Sequence, residues 1–166
     1  MISDQWTVIS GRPQIERWSR MGSLPHADSF EDLVVYQKAR ALALEIFGLS
    51  AAFPKEETYS LTGQIRRSSR AIGAQIAEAW AKRPYERHFI SKLTDADGEQ
   101  QETQHWIAIA GDTGYWSPES CASLRDRCIE IGRLLAGMIS KARLFCGDPP
   151  RSVRETATAY DVDTDD

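Results

Sequence analysis

The sequence is short of nearly everything that marks a site of chemistry. Its three cysteines, Cys121, Cys128 and Cys146, are an odd number with no CxxC spacing, and two of them lie seven apart on one helical face. They read as small, reduced core residues rather than as a disulfide framework. Histidine is equally scarce: of His26, His88 and His105, only His105 has a glutamate three residues before it. A glycine-rich phosphate loop, a nucleophile elbow and a cysteine–histidine pairing motif are all missing. The longest apolar run falls far short of the ~20 residues of a membrane span. The first twenty residues lack the basic start, apolar block and small-residue cleavage site of a secretory signal. A soluble cytoplasmic protein with no membrane partner, no cofactor and no enzymatic activity is expected.

Three short patterns imitate known sites and fail on context. Glu102-x-x-His105 matches half of a di-iron bundle motif, which needs a second copy and two further glutamates on other helices; a single copy reads as a solvated helix face. Asp112-Thr113-Gly114 spells the aspartic-protease tripeptide, but at a helix end, where Asp and Gly form turns. Asp95-x-Asp97-Gly98-Glu99 suggests a calcium loop, yet its glycine comes two positions early and the segment is mid-helix.

What the chain does contain is helical periodicity. With 166 residues, 42% hydrophobic and 27% charged, it can bury one full core without metals or disulfides. The formal charge of −4 is unevenly spread: residues 30–145 carry 15 basic and 15 acidic side chains, residues 1–29 three of each, and residues 146–166 two basic and six acidic. The excess therefore lies wholly in the C-terminal tail. Residues 1–28, with Gly11, Pro13, Gly22 and Pro25, are expected to be a loosely ordered extension, and either Met1 or Met21 could be the natural start. Residues 147–166 are too polar to fold alone.

Between these ends four helices are expected. Ser29 before Phe30-Glu31-Asp32 is an N-cap with acids in the first turn, so helix one spans about Phe30 to Ala51. It carries two apolar stripes, Phe30, Leu33, Ala41, Leu44 and Val35, Ala39, Leu42, Ile46, Leu49, more than one core face requires. Phe53-Pro54 breaks it. Helix two, about Glu57 to Lys82, has Leu61, Ile65, Ser68, Ile72, Ile76 and Trp80 on one face. Pro84 is expected in the first turn of helix three, whose face is Phe89, Leu93, Ala96, Gln100, Thr103, Ile107 and Ala110. Ser117-Pro118 caps a fourth helix with Leu124, Cys128, Ile131, Leu135, Met138, Ala142 and Phe145 in 3–4 alternation. An all-α, antiparallel up-down four-helix bundle over residues 29–146 follows.

The most informative surface signal is basic. From residue 64 to 87 there are six basic side chains, Arg66, Arg67, Arg70, Lys82, Arg83 and Arg87, against two acidic ones. Such a cluster can contact phosphates. In a hairpin turning near Pro84, however, residues whose numbers sum to about 167 face each other, which sets Arg70 against Asp97 and Arg66 and Arg67 against Glu99 and Glu102. Pairing is the favoured reading. Aromatics exceed the needs of one core, so Tyr36, Trp80, Trp106, Tyr115 and Trp116 are the candidate oligomer interface.

Five ordered blocks carry a family resemblance: Asp32 to Ala39 (DLVVYQKA), Phe53 to Thr62 (FPKEETYSLT), Gln64 to Arg67 (QIRR), Ile76 to Glu78 (IAE), and Glu99-x-x-Glu102-Thr103-Gln104. Together they resemble the four-helix-bundle proteins named after intervening sequences in 23S ribosomal RNA, over roughly residues 29–145. The resemblance implies a ring-like homopentamer without known enzymatic activity. It also implies a distant relation to accessory proteins of diversity-generating retroelements, which bind a reverse transcriptase and nucleic acid through a basic surface. The chain departs from the family's usual Ser-Ile-Pro-x-Asn-Ile-Ala-Glu-Gly, having Ala71-Ile72-Gly73-Ala74-Gln75-Ile76-Ala77-Glu78-Ala79, so helix two should be less kinked. The expected function is a non-enzymatic oligomeric scaffold engaging a protein partner, with structured RNA as an additional ligand. The competing expectation is a direct RNA- or DNA-binding accessory protein, for example to a reverse transcriptase.

Overall fold

A computed structural model describes residues 27–146. Apart from Ala27 and Asp28, the expected N-terminal extension, including the choice between Met1 and Met21, lies outside the described residues. So does the acidic tail.

The first helix begins later than its cap suggests. Ser29 does cap a turn, accepting from the Glu31 amide at 3.2 Å, while the Asp32 carboxylate accepts from the Ser29 and Asp28 amides at 2.9 and 3.1 Å. This reciprocal capping box closes only a single 3-10 turn, Phe30–Asp32, because Leu33 then adopts an extended backbone (φ −70°, ψ 124°) and buries its side chain. Helix α1 is Val34–Leu49, with Val35, Ala39, Leu42 and Ile46 in the core. Of its other stripe, Leu33 is buried, Phe30 half-buried, and Ala41 and Leu44 are exposed.

Two 3-10 turns, Ser50–Ala52 and Lys55–Glu57, flank Pro54, and α2 is Leu61–Ala81. The expected start at Glu57 is displaced because its carboxylate turns back to accept from the Ser60 hydroxyl and from the Leu61 amide at 3.2 Å, serving as a cap. The buried stripe ends on Ala79 rather than on Trp80, which is half-exposed. Pro84 likewise lies in the turn, not in the helix: α3 is Glu86–Asp112, with all seven expected face residues buried. Gly114, at φ +76°, makes the left-handed turn that no β-carbon would favour, and lets the Tyr115 amide donate back to the Ala110 carbonyl at 2.9 Å.

Ser117 caps α4, Pro118–Ser140, accepting from the Ser120 amide at 3.2 Å. The fourth stripe continues beyond it across a break at Lys141 (φ −117°, ψ 26°) into a short α5, Ala142–Phe145. There Phe145 stacks on Phe89 at 5.8 Å.

Neighbouring helices run in opposite directions, as their contacts show: one partner's numbers rise as the other's fall. Gly73 faces the Tyr36 ring and Arg66 reaches Phe47 for α1–α2, while Lys92 meets Gln75 and Arg67 meets Glu102 for α2–α3. Cys121 lies on Ile107, and Gly132 on Gln100, for α3–α4. Lys38–Glu130 and Glu45–Arg127 ion pairs join α1 to α4. The four long helices thus enclose one core in which Ile65, Ile72, Ile76, Phe89, Leu93, Leu124, Ile131 and Leu135 have no exposed surface.

A polar layer crosses that core. Thr103 donates to the Glu99 carbonyl at 2.8 Å and lies 3.0 Å from the Ser68 hydroxyl; Gln100 donates to Asp97 at 3.1 Å and accepts from Gln104 at 2.8 Å. Gly132 leaves the space that Gln100 fills, since a β-carbon there would sit 3.0 Å from its amide nitrogen. Ser68, Gln100 and Thr103 each have a partner, which holds down the cost of burying them.

Candidate interaction surface on the first and second helices

The basic stretch divides into side chains that are spoken for and side chains that are not. Arg67 pairs with Glu102 and lies 3.6 Å from Glu99, as the hairpin register predicts. The observed α2–α3 pairs Gln75–Lys92, Arg67–Glu102 and Ser68–Thr103 sum to 167, 169 and 171, close to the expected value. Arg66 and Arg70 do not pair as expected. Arg66 turns the other way, donating to the Ser50 hydroxyl at 2.7 Å and the Phe47 carbonyl at 3.2 Å, with its guanidinium 4.5 Å from the Phe47 ring centre. Arg70 follows it, 5.4 Å from the same ring. The reason is helical geometry: residues 66 and 70 share a face one turn apart, and that face points to α1, whereas 67 points to α3. Among the described residues neither makes an ion pair with a carboxylate. Asp97 instead accepts from Gln100. Arg83 folds onto Trp80, 3.3 Å from the ring centre, and donates to its carbonyl at 2.8 Å. Lys82 and Arg87 are exposed at the same end of α2 and the start of α3.

The carboxylates opposite Arg67 are pushed apart. Burial raises the Glu99 pKa, and Glu102 and Asp95 raise it further against the pull of Arg67; its Oε2 is buried without a hydrogen-bond partner among the described residues. Glu102 is lowered, first by the 3.0 Å hydrogen bond from the Trp106 indole and then by Arg67. Its Oε1 thus serves both donors, while His105 is exposed with its ring edge-on to Trp106 at 4.7 Å. Burial also pushes the Cys128 thiol up to about 12.

The candidate interface aromatics are scattered. Trp116 is 7% exposed, packs on Phe53 at 5.1 Å and donates to the Leu49 carbonyl at 3.4 Å, so it belongs to the chain's own core. Tyr115 donates to Glu57 at 3.1 Å at the same end. Trp106 and Trp80 are half-exposed, each held by its own polar neighbour. Of these five only Tyr36 lines an apolar groove between α1 and α2, with Ala39, Ala43, Leu44 and Phe47 on one wall and Gly73, Ala74 and Ala77 on the other. Leu44 is 62% and Phe47 46% exposed, and Arg40 and Arg70 stand at the rim. Leu44 belongs to the unexplained second stripe of helix one. Phe47 was in neither stripe, although its spacing of three and four from Leu44 and Ala43 could have placed it there. A second depression, on the outer side of α2, is lined by Thr58, Thr62, Gly63, Ala71, Ala74 and the three arginines, sharing Arg70 and Ala74 with the groove.

The fold and this surface define a small helical bundle with an open groove on one face and, among the described residues, no cluster of metal-ligating side chains and no helix long and apolar enough to cross a membrane. The chain belongs to the 23S rRNA-intervening sequence protein family, which it matches over residues 31–137. Among solved structures it is similar to a protein of unknown function from the S23 ribosomal protein family of Bacteroides thetaiotaomicron, with 32% sequence identity and a TM-score of 0.59. That likeness covers 64% of this chain and 96% of the other. No curated protein matches. Neither the family name nor that of the neighbour is that of an enzyme.

Proposed function

We propose that the protein is a non-enzymatic, self-assembling binding scaffold whose copies meet across the α1–α2 face. The observation that carries this reading is the groove itself: a strip of Gly73, Ala74, Ala77 and Ala43 permits close helix approach, and Leu44 and Phe47 stand exposed beside it. Apolar side chains grouped this way beside a floor of small residues favour a packed protein surface over water. Five copies is the number the family resemblance implies, and a cytoplasmic protein partner, such as a reverse transcriptase, is the further binding it implies. Sedimentation velocity over a concentration series tests the assembly: a single species heavier than one chain at micromolar concentration is expected, and a monomer throughout would refute it.

A second reading, direct binding of RNA or DNA, is favoured by the freedom of Arg66 and Arg70 from carboxylates. Phosphate contacts release counterions, so such binding would weaken steeply with salt. Replacing Arg66 and Arg70 by Gln should then remove the binding and part of its salt slope while leaving the fold intact.

A further inference from the structure

Arg66 and Arg70 pose an electrostatic problem. They are one helical turn apart, so their like charges repel, and both guanidiniums lie against the single exposed ring of Phe47, at 4.5 and 5.4 Å. The ring's electron-rich face attracts each of them but carries no net charge to offset the pair. Among the described residues, the carboxylates within ion-pairing distance of Arg66, Arg67 and Arg70 all belong to Arg67. The site asks for an anion, and the chain has one strongly acidic stretch: residues 161–166, Asp-Val-Asp-Thr-Asp-Asp.

We propose that the C-terminal acidic segment, residues 147–166, is the resident occupant of the Arg66–Arg70 site of its own chain, and that other polyanions reach these arginines only by displacing it. The first support is charge complementarity, since the segment holds the whole negative excess of the sequence and the bundle it leaves is neutral. The second is reach. The described chain ends at Cys146, beside Phe89 and hence at the α2–α3 turn. From Lys82, Arg70 lies twelve residues back along α2, about 18 Å at 1.5 Å per residue, plus about 10 Å for each helix crossed. The fifteen residues from Cys146 to Asp161 can span up to about 50 Å. The third is effective concentration, because a tethered segment is present at about millimolar level and any external ligand must outcompete it. The proposal rests on the availability of these two charges and not on self-assembly, so a monomeric wild type would refute the assembly reading and leave this one standing.

The test uses the full chain carrying Arg70→Lys, which keeps the cation and supplies an amine. A carbodiimide then joins that amine to any carboxylate in direct contact, forming an amide with loss of water to the reagent. Mass spectrometry of the digest should find position 70 linked to Asp161, Asp163, Asp165 or Asp166. The yield should fall several-fold in about 1 M salt, where the screening length is ~3 Å. In a mixture of nitrogen-14 and nitrogen-15 chains the linked peptides should carry one isotope only. A single-stranded oligodeoxynucleotide added at low salt should lower the yield. Links from position 70 to Glu99 or Glu102 alone, mixed-isotope links, or a yield indifferent to the oligonucleotide would each overturn the proposal.

Discussion

The two sides of α2 differ in how completely they are satisfied. Toward α3, Arg67, Ser68 and Gln75 each meet a partner, and a layer of threonine and glutamine side chains fixes the register. Toward α1, the outer edge presents alanines, a glycine, an exposed Leu44 and Phe47, and two arginines without a carboxylate partner among the described residues. Adjacent charged side chains such as Arg66 and Arg67 thus have different roles according to the face they occupy. A face finished within the chain explains stability, and an unfinished one points to binding.

The largest contrast should come from α2 itself. Ile72→Ala, at a fully buried position, should cost about 2–5 kcal/mol by lost burial and the cavity left behind. Ala74→Ser, on the exposed side of the same helix, should change the stability of the single chain by no more than ~0.5 kcal/mol. Urea unfolding monitored by circular dichroism measures both, and comparable losses would erase the distinction between the faces.

Two glycines of α4 offer a smaller and oppositely signed pair. Gly132→Ala sets a β-carbon 3.0 Å from the Gln100 amide and 3.4 Å from Asp97, and overpacking a well-filled site costs about 1–3 kcal/mol. At Gly137 nothing lies within 4 Å, so Gly137→Ala should gain up to about 1 kcal/mol from helix propensity. Thermal melts of the two variants should move in opposite directions.

Acid should act on the finished face through Glu102. Its pKa is held below the ordinary glutamate value of 4.5 in the folded protein, so its contribution is present above that value and is lost as pH falls through the folded pKa. Glu99 works the other way. With its pKa raised above 4.5 by burial, it favours the folded state increasingly as pH falls through that raised value. Stability between pH 6 and 2 should therefore decline mainly below about 4.5, and Glu102→Gln should flatten that decline. A decline of unchanged steepness in the variant would place the acid sensitivity elsewhere.

The smallest effect is expected from Arg66→Gln with Arg70→Gln. Cation–π contacts at exposed sites contribute about 0.5–1 kcal/mol each, part of it offset by relief of repulsion between the two charges. A loss of more than about 2 kcal/mol in chemical denaturation would mean that the pair braces the bundle rather than waiting for a ligand.

The core was legible because its signal is periodic: every residue of the expected third-helix face is buried, as are the first six of the fourth stripe. Helix ends were less so. Leu33 and Glu57 depart from the expected boundaries because local capping bonds, not periodicity, decide where a helix begins. The hairpin register located the partners of Arg67 but misplaced Arg66 and Arg70, since a sum of residue numbers gives height along a helix and not rotation about it. Aromatic excess was a poor guide to the outer face, where Trp116 is core and Phe47 is the exposed ring. Counting large side chains ignores which of them a loop end can fold inward.

The central claim is that the open α1–α2 face is where copies meet, and light scattering coupled to size exclusion tests it most directly on wild type and on Leu44→Glu with Phe47→Glu. Both positions are exposed within the single chain, at 62% and 46%, so the variant should keep its helical spectrum. The account predicts a wild-type mass of several 18.6 kDa chains, with five as the expected number, and a variant that runs as one chain. A wild type that runs as a single chain, or a variant with the full wild-type mass, would contradict it.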